Sequence, residues 1–216
     1  MRMKKKISMI AMLILLVSMT GCGSEKKEFT LNTYEDNLYK DTYMGIQYEL
    51  PEGWTFLDDA TILSTYMGDA DKQAGLRDGS ITGKDIEVSD ETLYYAFAAQ
   101  AQDGTSSAVV AYVKIGEVEG DIESVLNSIG FEQELKDGFK SALGVEPTLD
   151  STDTIMIGGK SFYRKNYSIT ANSITLKFSI CAIRENDMVC VIETFSVGGN
   201  SGGIDDLLNN ALPIEE

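Results

Sequence analysis

The chain has 216 residues, with 18 lysine and arginine residues against 34 aspartate and glutamate residues, and 43% of it is hydrophobic. This length and hydrophobic content predict one folded domain and exclude a disordered chain. The sequence contains no histidine, which excludes Ser-His and Cys-His nucleophile pairs, His-ligated zinc and haem held by a proximal histidine.

The N-terminus has the layout of a secretory signal peptide. Basic residues within positions 2–6 precede an apolar stretch over 7–19, and small residues follow. The apolar stretch is shorter than the about 20 residues that a membrane-spanning helix needs. Met19-Thr20-Gly21-Cys22 resembles the lipobox of bacterial lipoproteins, with methionine where leucine is usual. The resemblance implies that residues 1–21 are a removable signal peptide and that Cys22 carries the membrane lipid.

A lipid with two acyl chains would hold the mature chain stably on the outer face of the cell membrane, whereas one chain binds only marginally. The alternative is ordinary cleavage near Gly21 or Gly23 and free secretion. Removal of residues 1–21 leaves 14 basic residues against 34 acidic ones, a net charge of −20. Such a chain is repelled by nucleic acids and by anionic headgroups, so we expect no nucleic-acid partner. Residues 22–33 are predicted to be a tether, and residues 34–216 a single domain.

Alternating apolar residues, turn signals and helical spacing divide the domain into elements. The sequence predicts a strand over Met44–Leu50, a second apolar alternation at Trp54 and Phe56, a short helix over Ala60–Tyr66, a strand over Ser107–Ile115, a helical stretch over Asp121–Leu143, four strands over Thr154–Ile157, Lys160–Thr170, Ser173–Ile183 and Met188–Val197, and a short helix at Ile204–Ala211.

Three segments are less regular. Thr92–Gln102 fits both a helix and a strand, but Asp103-Gly104 favours a hairpin with the strand that follows. Gly130 predicts a break within the long helical stretch. Met67–Asp90 is polar and glycine-rich, and its pattern predicts no element.

The predicted fold class is α+β, with an antiparallel sheet covered by helices. The segment Gly45-Ile46-Gln47-Tyr48-Glu49-Leu50-Pro51-Glu52-Gly53-Trp54 resembles the opening of PsbP-like domains, and the order of elements after it is also similar. Small lipoproteins of Gram-positive bacteria resemble this arrangement. The resemblance implies a PsbP-like α/β/α sandwich used for protein binding. In plants the namesake is a non-enzymatic subunit of a photosynthetic complex, and a fungal relative binds a small GTPase.

Two motifs suggest chemistry but fit it poorly. Gly199-Asn200-Ser201-Gly202-Gly203 satisfies Gly-x-Ser-x-Gly, yet no histidine is available as the base, so we interpret the segment as a flexible link. The segment Asp69–Gln73 hints at a calcium loop. Its glycine falls one position late, and Ser80 stands where a bidentate glutamate is needed, so we expect a solvated loop there.

Cys181 and Cys190 flank the turn at 185–187. A hairpin centred between Glu185 and Asn186 would place them opposite each other and permit a disulfide, whereas a register one residue later displaces them diagonally. Both alternatives remain open from the sequence. Trp54 is expected in the core, although an aromatic ligand platform is the other interpretation.

The sequence therefore predicts a non-enzymatic, lipid-anchored extracytoplasmic binding module without a cofactor, whose partner is an unknown protein or envelope component. The alternative is a surface lipoprotein that binds a small ligand or a metal. A pocket would favour the second hypothesis and a flat apolar patch the first.

Overall fold

A computed structural model describes residues 27–66, 68–88, 93–116, 120–128, 130–171, 173–198 and 202–215. The predicted signal peptide, the predicted lipid attachment site Cys22 and Ser201 lie outside the described residues. Within them, no helix combines the length and apolar character required to cross a membrane.

The described residues form eleven strands and five helices. The strands are β1 (Tyr34–Glu35), β2 (Leu38–Asp41), β3 (Ile46–Glu49), β4 (Trp54–Phe56), β5 (Leu93–Ala101), β6 (Ser106–Lys114), β7 (Thr148–Ile157), β8 (Lys160–Ala171), β9 (Ile174–Glu185), β10 (Met188–Val197) and β11 (Leu212–Pro213). The helices are α1 (Asp59–Tyr66), α2 (Ala70–Asp78), α3 (Ile122–Ser128), α4 (Phe131–Leu143) and α5 (Gly202–Asn209).

A seven-stranded sheet in the order β4-β5-β6-β10-β9-β8-β7 is the centre of the fold. All its neighbouring strands are antiparallel, and β7 to β10 form the predicted meander. A second, four-stranded sheet has the order β1-β2-β3-β11. The predicted α+β class with an antiparallel sheet is confirmed.

Both faces of the large sheet are covered over its central strands. The first face packs against the small sheet, α5 and the segment around Phe29, and forms the largest apolar cluster. The second face packs against α1 over β5 and β6, and against α3 and α4 over β8 to β10. Because side chains alternate between the faces of a strand, burial of both faces accounts for the nearly continuous apolar runs of β5, β6 and β10. The cover of the first face is thus largely a second sheet, where the sequence predicted helices.

The structure gives each of the three less regular segments a defined conformation. Residues 93–101 are a strand, as the hairpin signal at Asp103-Gly104 predicted. The helical stretch is divided at Gly130, whose φ of 69° ends the first helical piece. The unassigned segment 67–90 contains α2, which begins at the N-cap Asp69.

The domain begins before Tyr34, where the sequence predicted its first residue. Phe29 and Leu31 are buried in the core, with 3% and 2% of their surface exposed. The Leu31 N–H donates to the Leu76 carbonyl over 3.0 Å, and the Gly83 N–H donates to the Phe29 carbonyl over 2.8 Å. These contacts make residues 29–33 part of the domain, so the predicted tether of residues 22–33 is too long at its C-terminal end.

Candidate functional site

The acidic segment at Asp69 caps a helix. The Asp69 carboxylate accepts a hydrogen bond from the Lys72 N–H over 3.1 Å, and its backbone is extended, as an N-cap requires. The expectation of a solvated loop at 69–73 was therefore wrong, because four of these five residues lie in α2. Across the described ranges, no group of three or more acidic or cysteine side chains is placed to hold a metal ion.

Cys181 and Cys190 adopt the diagonal register. Cys181 pairs with Ile192 and Cys190 with Ile183, so both lie on the first face but not opposite each other. Both are buried and free. Burial raises the pKa of Cys181 to about 12 and also raises that of Cys190. A thiol with a raised pKa is a poor nucleophile and a poor metal ligand.

Trp54 lies in the core, as expected, with 9% of its surface exposed. A Cβ added at Gly203 would come within 2.4 Å of the indole Nε1, so glycine is required for α5 to pack on the ring.

A cleft of about 700 Å³ lies at the end of the large sheet where β6 ends and β9 turns into β10. Four separate segments and that turn form its walls. Its lining residues are Lys27, Glu28, Phe29, Tyr43, Gly83, Lys84, Val88, Lys114, Ile115, Gly116, Arg184, Asn186 and Asp187.

Lys114 joins the cleft walls. Its ammonium group donates to the Gly83 and Ile86 carbonyls, each over 2.7 Å, and lies 3.8 Å from the Asp187 carboxylate. The Ile115 N–H also donates to the Asp187 carbonyl over 2.8 Å. The loop after α2 and the β9–β10 turn are therefore both fixed to the end of β6.

An aromatic pair forms the base of the cleft. The rings of Phe29 and Tyr43 meet edge to face, with centroids 5.2 Å apart. The Tyr43 hydroxyl donates to the Glu185 carbonyl over 2.7 Å and accepts from the Asn186 side-chain amide over 3.5 Å. Gly83 approaches closely here, because an added Cβ would lie 2.8 Å from the Phe29 Cβ. The N-terminal segment is thus packed into the cleft wall.

Among the described residues, four cationic and two acidic side chains line the cleft, in a chain whose acidic residues outnumber its basic ones. Lys84 is 81% exposed in its side chain and pairs with Glu28 over 2.9 Å. The Arg184 Nε donates to the Asn186 carbonyl over 3.0 Å. The cleft is therefore a local positive region on an acidic molecule.

A buried carboxylate supports the cleft from within. Asp41 accepts hydrogen bonds from the Met44 N–H over 3.0 Å and from the Tyr112 hydroxyl. Burial raises the pKa of Asp41 to about 6, although the hydrogen bonds from Met44, Tyr112 and Tyr43 oppose the shift. Asp41 is only 1% exposed, and it fixes the turn that carries Tyr43. Its role is structural.

The lysine and arginine side chains of the cleft lining are groups to which an anionic group can bind. Sequence analysis did not find the cleft, because its residues come from positions 27 to 187 and no short motif contains them. The two candidate motifs of the sequence are elsewhere: Asp69 caps α2, and Ser201 lies outside the described residues.

No protein-family model matches the chain, and no curated protein matches it in sequence. The solved structures that are similar to this chain include the following three. Cyanobacterial PsbP (CyanoP) from Synechocystis shares 11% identity, over 89% of this chain and 95% of that one, with a TM-score of 0.45. The Ran-binding protein Mog1p of Saccharomyces cerevisiae shares 12%, over 84% and 87%, with a TM-score of 0.41. LpqN of Mycobacterium tuberculosis, involved in cell envelope biogenesis, shares 9%, over 86% and 90%, with a TM-score of 0.37.

Proposed function

We propose that this protein is a lipid-anchored, extracytoplasmic and non-enzymatic binding module with a PsbP-like domain. The cationic cleft is its binding surface, and its partner is an envelope component or a protein that presents an anionic group. The observation that carries the proposal is that the lining of the positive cleft begins at Lys27, five residues after the predicted lipid attachment site Cys22.

The anchor and the cleft are close along the chain. Lys27 lines the cleft and lies five residues after Cys22, the predicted lipid attachment site. Five extended residues span at most about 18 Å. Phe29 and Leu31 are packed into the domain, so the free tether is short. A lipid on Cys22 would therefore hold the cleft end of the domain towards the membrane.

Charge favours the cleft over the remaining surface for an anionic partner. The contrast is one of number: among the described residues, four cationic side chains meet two acidic ones in the cleft lining, although Lys84 and Lys114 pair there with Glu28 and Asp187. An anionic group is repelled by the acidic surface and attracted to the cleft, which orients the encounter.

The described chemistry supports binding more than catalysis. The two described cysteines are buried thiols with raised pKa, and the cleft lining offers ammonium, guanidinium, amide and aromatic groups. Lys114 is held by two carbonyls and an acid.

The anchor is tested by replacing Cys22 with serine in the native cells. We expect the wild-type chain in the membrane fraction, with an N-terminal mass that contains a diacylglyceryl cysteine. The Cys22→Ser variant should lose the lipid mass. An unmodified Cys22 in membranes would contradict the anchor.

The cleft is tested on the full-length Cys22→Ser chain by thermal shift against inorganic phosphate and glycerol phosphate. The variant Lys84→Gln/Arg184→Gln removes two cleft charges. The matched control Lys40→Gln/Lys177→Gln removes two exposed charges that do not line the cleft. A saturable shift that the cleft variant loses and the control keeps supports an anionic site. Equal shifts in both variants contradict it.

The second candidate is a lipoprotein that binds a small anionic ligand. The cleft volume of about 700 Å³ favours it, because small-molecule pockets span about 300–1,000 Å³. A tight shift with a free small anion would favour this function. Weak shifts together with a cross-linked macromolecule would favour the binding module.

A further inference from the structure

The first face of the large sheet changes from apolar to polar along its strands. On β10, Cys190 and Ile192 belong to the apolar cluster of that face, whereas Thr194 and Ser196 follow them in the same alternation. Ser179 of β9 lies opposite Thr194 and continues the polar part across the sheet. The cleft lies beside the β9–β10 turn, so this polar part lies towards the other end of β10.

A cavity of about 290 Å³ lies over the polar part of the first face, between the sheet and α5. Residues of β8, β9 and β10 form its sheet side, and Ile204 and Leu208 of α5 form an apolar wall. The volume corresponds to roughly ten water molecules of the liquid. It lies at the lower limit of small-molecule pockets, which span about 300–1,000 Å³. The cavity therefore has room for one small ligand.

Two hydroxyl groups of the cavity lining have no hydrogen-bond partner in the part of the chain that the structure describes. They belong to Thr194 and Ser196, each of which is only 2% exposed and lines the cavity. Buried polar groups in proteins are nearly always paired with the protein or with a bound molecule. A buried hydroxyl without a partner is unfavourable, because it has lost its hydrogen bonds to water. A molecule in the cavity would supply the missing partners.

Other polar groups of the lining are held in fixed positions. The Ser179 hydroxyl donates to the Asn166 side-chain oxygen over 2.6 Å, and the Asn166 amide nitrogen donates to the Ser151 hydroxyl over 2.9 Å. The Arg164 guanidinium donates twice to the Asp153 carboxylate, over 2.7 and 2.9 Å. Hydroxyl, amide and guanidinium groups each retain capacity for further hydrogen bonds. A ligand would thus meet donors and acceptors whose orientation is already set.

The charges of the cavity lining balance, in contrast to those of the cleft. Among the described residues, the cations that line the cavity are Arg164 and Lys177, and the acids are Asp150 and Asp205. Because neither sign is in excess, the lining does not favour an anion or a cation. Its hydroxyl and amide groups match a neutral ligand that both donates and accepts hydrogen bonds.

We propose that this cavity binds a neutral, hydroxyl-rich ligand of the size of one sugar ring. Sugar hydroxyl groups both donate and accept, so they can pair with the hydroxyls of Thr194 and Ser196. The C–H groups of a sugar ring would pack on Ile204 and Leu208, since small-ligand sites combine apolar walls with a few polar groups. The cavity and the cleft lie towards opposite ends of β10, and the inference does not depend on the cleft.

The test titrates the full-length Cys22→Ser chain with glucose and with N-acetylglucosamine and follows the backbone amides by NMR. The variant Thr194→Val/Ser196→Ala removes the two hydroxyls with little change of shape. It should remain folded, because it removes no hydrogen bond among the described residues. The matched control Thr152→Val/Ser161→Ala removes two exposed hydroxyls of β7 and β8 that do not line the cavity.

We expect the amide shifts of Ser179, Thr194 and Leu208 in the wild-type chain to move saturably with one of the two sugars. The variant Thr194→Val/Ser196→Ala should raise the dissociation constant at least about tenfold, and the control should change it by less than about twofold. The inference is overturned if neither sugar moves these wild-type amides, or if the cavity variant binds as tightly as the wild type.

A thermal-shift titration separates binding from the general effect of sugars on proteins. Sugars that are excluded from the protein surface stabilise folded chains without saturation, so this effect should be equal in the wild type and both variants. A saturable part that the cavity variant alone loses supports the inference. Equal stabilisation of all three chains would overturn it. Saturable binding of inorganic phosphate at the same amides, in place of the sugars, would also overturn it.

Discussion

Asp41 is buried and Glu193 is partly buried, and the surroundings of the two carboxylates differ. Asp41 accepts hydrogen bonds from Met44 and Tyr112, whereas Glu193 has no partner among the described residues. Burial raises the pKa of Asp41 to about 6 and that of Glu193 to about 7. Removing the charge of Asp41 would weaken its hydrogen bonds, whereas removing the charge of Glu193 would weaken none among the described residues.

Replacing Glu193 with glutamine should stabilise the domain at pH 8. The variant removes a charge that is desolvated without compensation, so we expect a gain of about 1–3 kcal/mol in the free energy of unfolding. The gain should vanish near pH 4, where the wild-type carboxyl is protonated in both states. Urea unfolding at the two pH values measures this, and equal effects at both would contradict the proposed cause.

The thiols provide a second test at the residue scale. Protein extracted from membranes and denatured without reductant should contain two reactive thiols, Cys181 and Cys190, because both are free and Cys22 is predicted to be a thioether. The native protein should react slowly, since both side chains are buried. Three thiols would contradict the lipid on Cys22, and none would indicate a disulfide between the other two.

Among the elements, α2 depends on its first residue. Asp69 accepts from the Lys72 N–H, and its negative charge lies at the positive end of the helix. Asp69→Ala should lower the free energy of unfolding by about 1 kcal/mol. Asp71→Ala, in the exposed first turn of the same helix, should lower the free energy of unfolding by only about 0.3 kcal/mol. Equal effects in thermal unfolding would contradict the capping role.

The elements also show which parts of the fold the sequence specifies locally. The meander β7 to β10 was predictable, because its strands alternate strongly and its turns contain glycine, asparagine and aspartate. Helix α2 was not predictable, because its residues are mostly polar and show no apolar periodicity around the buried Leu76. Its N-cap segment also resembles a calcium-binding loop. The small sheet was also missed in part, since β1 and β11 have two residues each and form only by distant pairing.

The cleft and Glu193 follow the same division. The cleft depends on tertiary contacts between Phe29, Gly83 and Lys114, which no local pattern reveals. The unusual position of Glu193 could have been recognised in the sequence. Glu193 occupies the same alternation as Val189, Val191 and Phe195 in a strand buried on both faces, so a carboxylate there is out of place.

At the scale of the whole molecule, stability should fall as the pH rises from about 4 to about 7. The pKa of Asp41 and of Glu193 is raised on folding, so the folded state binds more protons than the unfolded chain in this range. The stability present below their unfolded pKa values is lost as the pH passes their folded values. Thermal midpoints at pH 5 and pH 8 measure this, and a higher midpoint at pH 8 would contradict it.

Stability should also fall at still lower pH, for the opposite reason. Burial tends to raise the pKa of Glu132, but hydrogen bonds from Lys136 and Lys165 outweigh it and lower the pKa to about 2. The stabilisation from this carboxylate is present above its unfolded pKa and is lost as the pH falls through the folded value. We therefore expect the most stable state near pH 5.

The decisive measurement is site-specific photo-cross-linking on intact cells. One photoreactive residue replaces Val88, which lines the cleft and has 55% of its surface exposed. A second replaces Met156, which lies on β7 outside the cleft and has 59% of its surface exposed. A cationic binding cleft that faces the membrane predicts a discrete adduct from position 88, absent from position 156 and weakened by Lys84→Gln/Arg184→Gln. The same adducts from both positions, or none from position 88, would contradict the cleft as the binding surface.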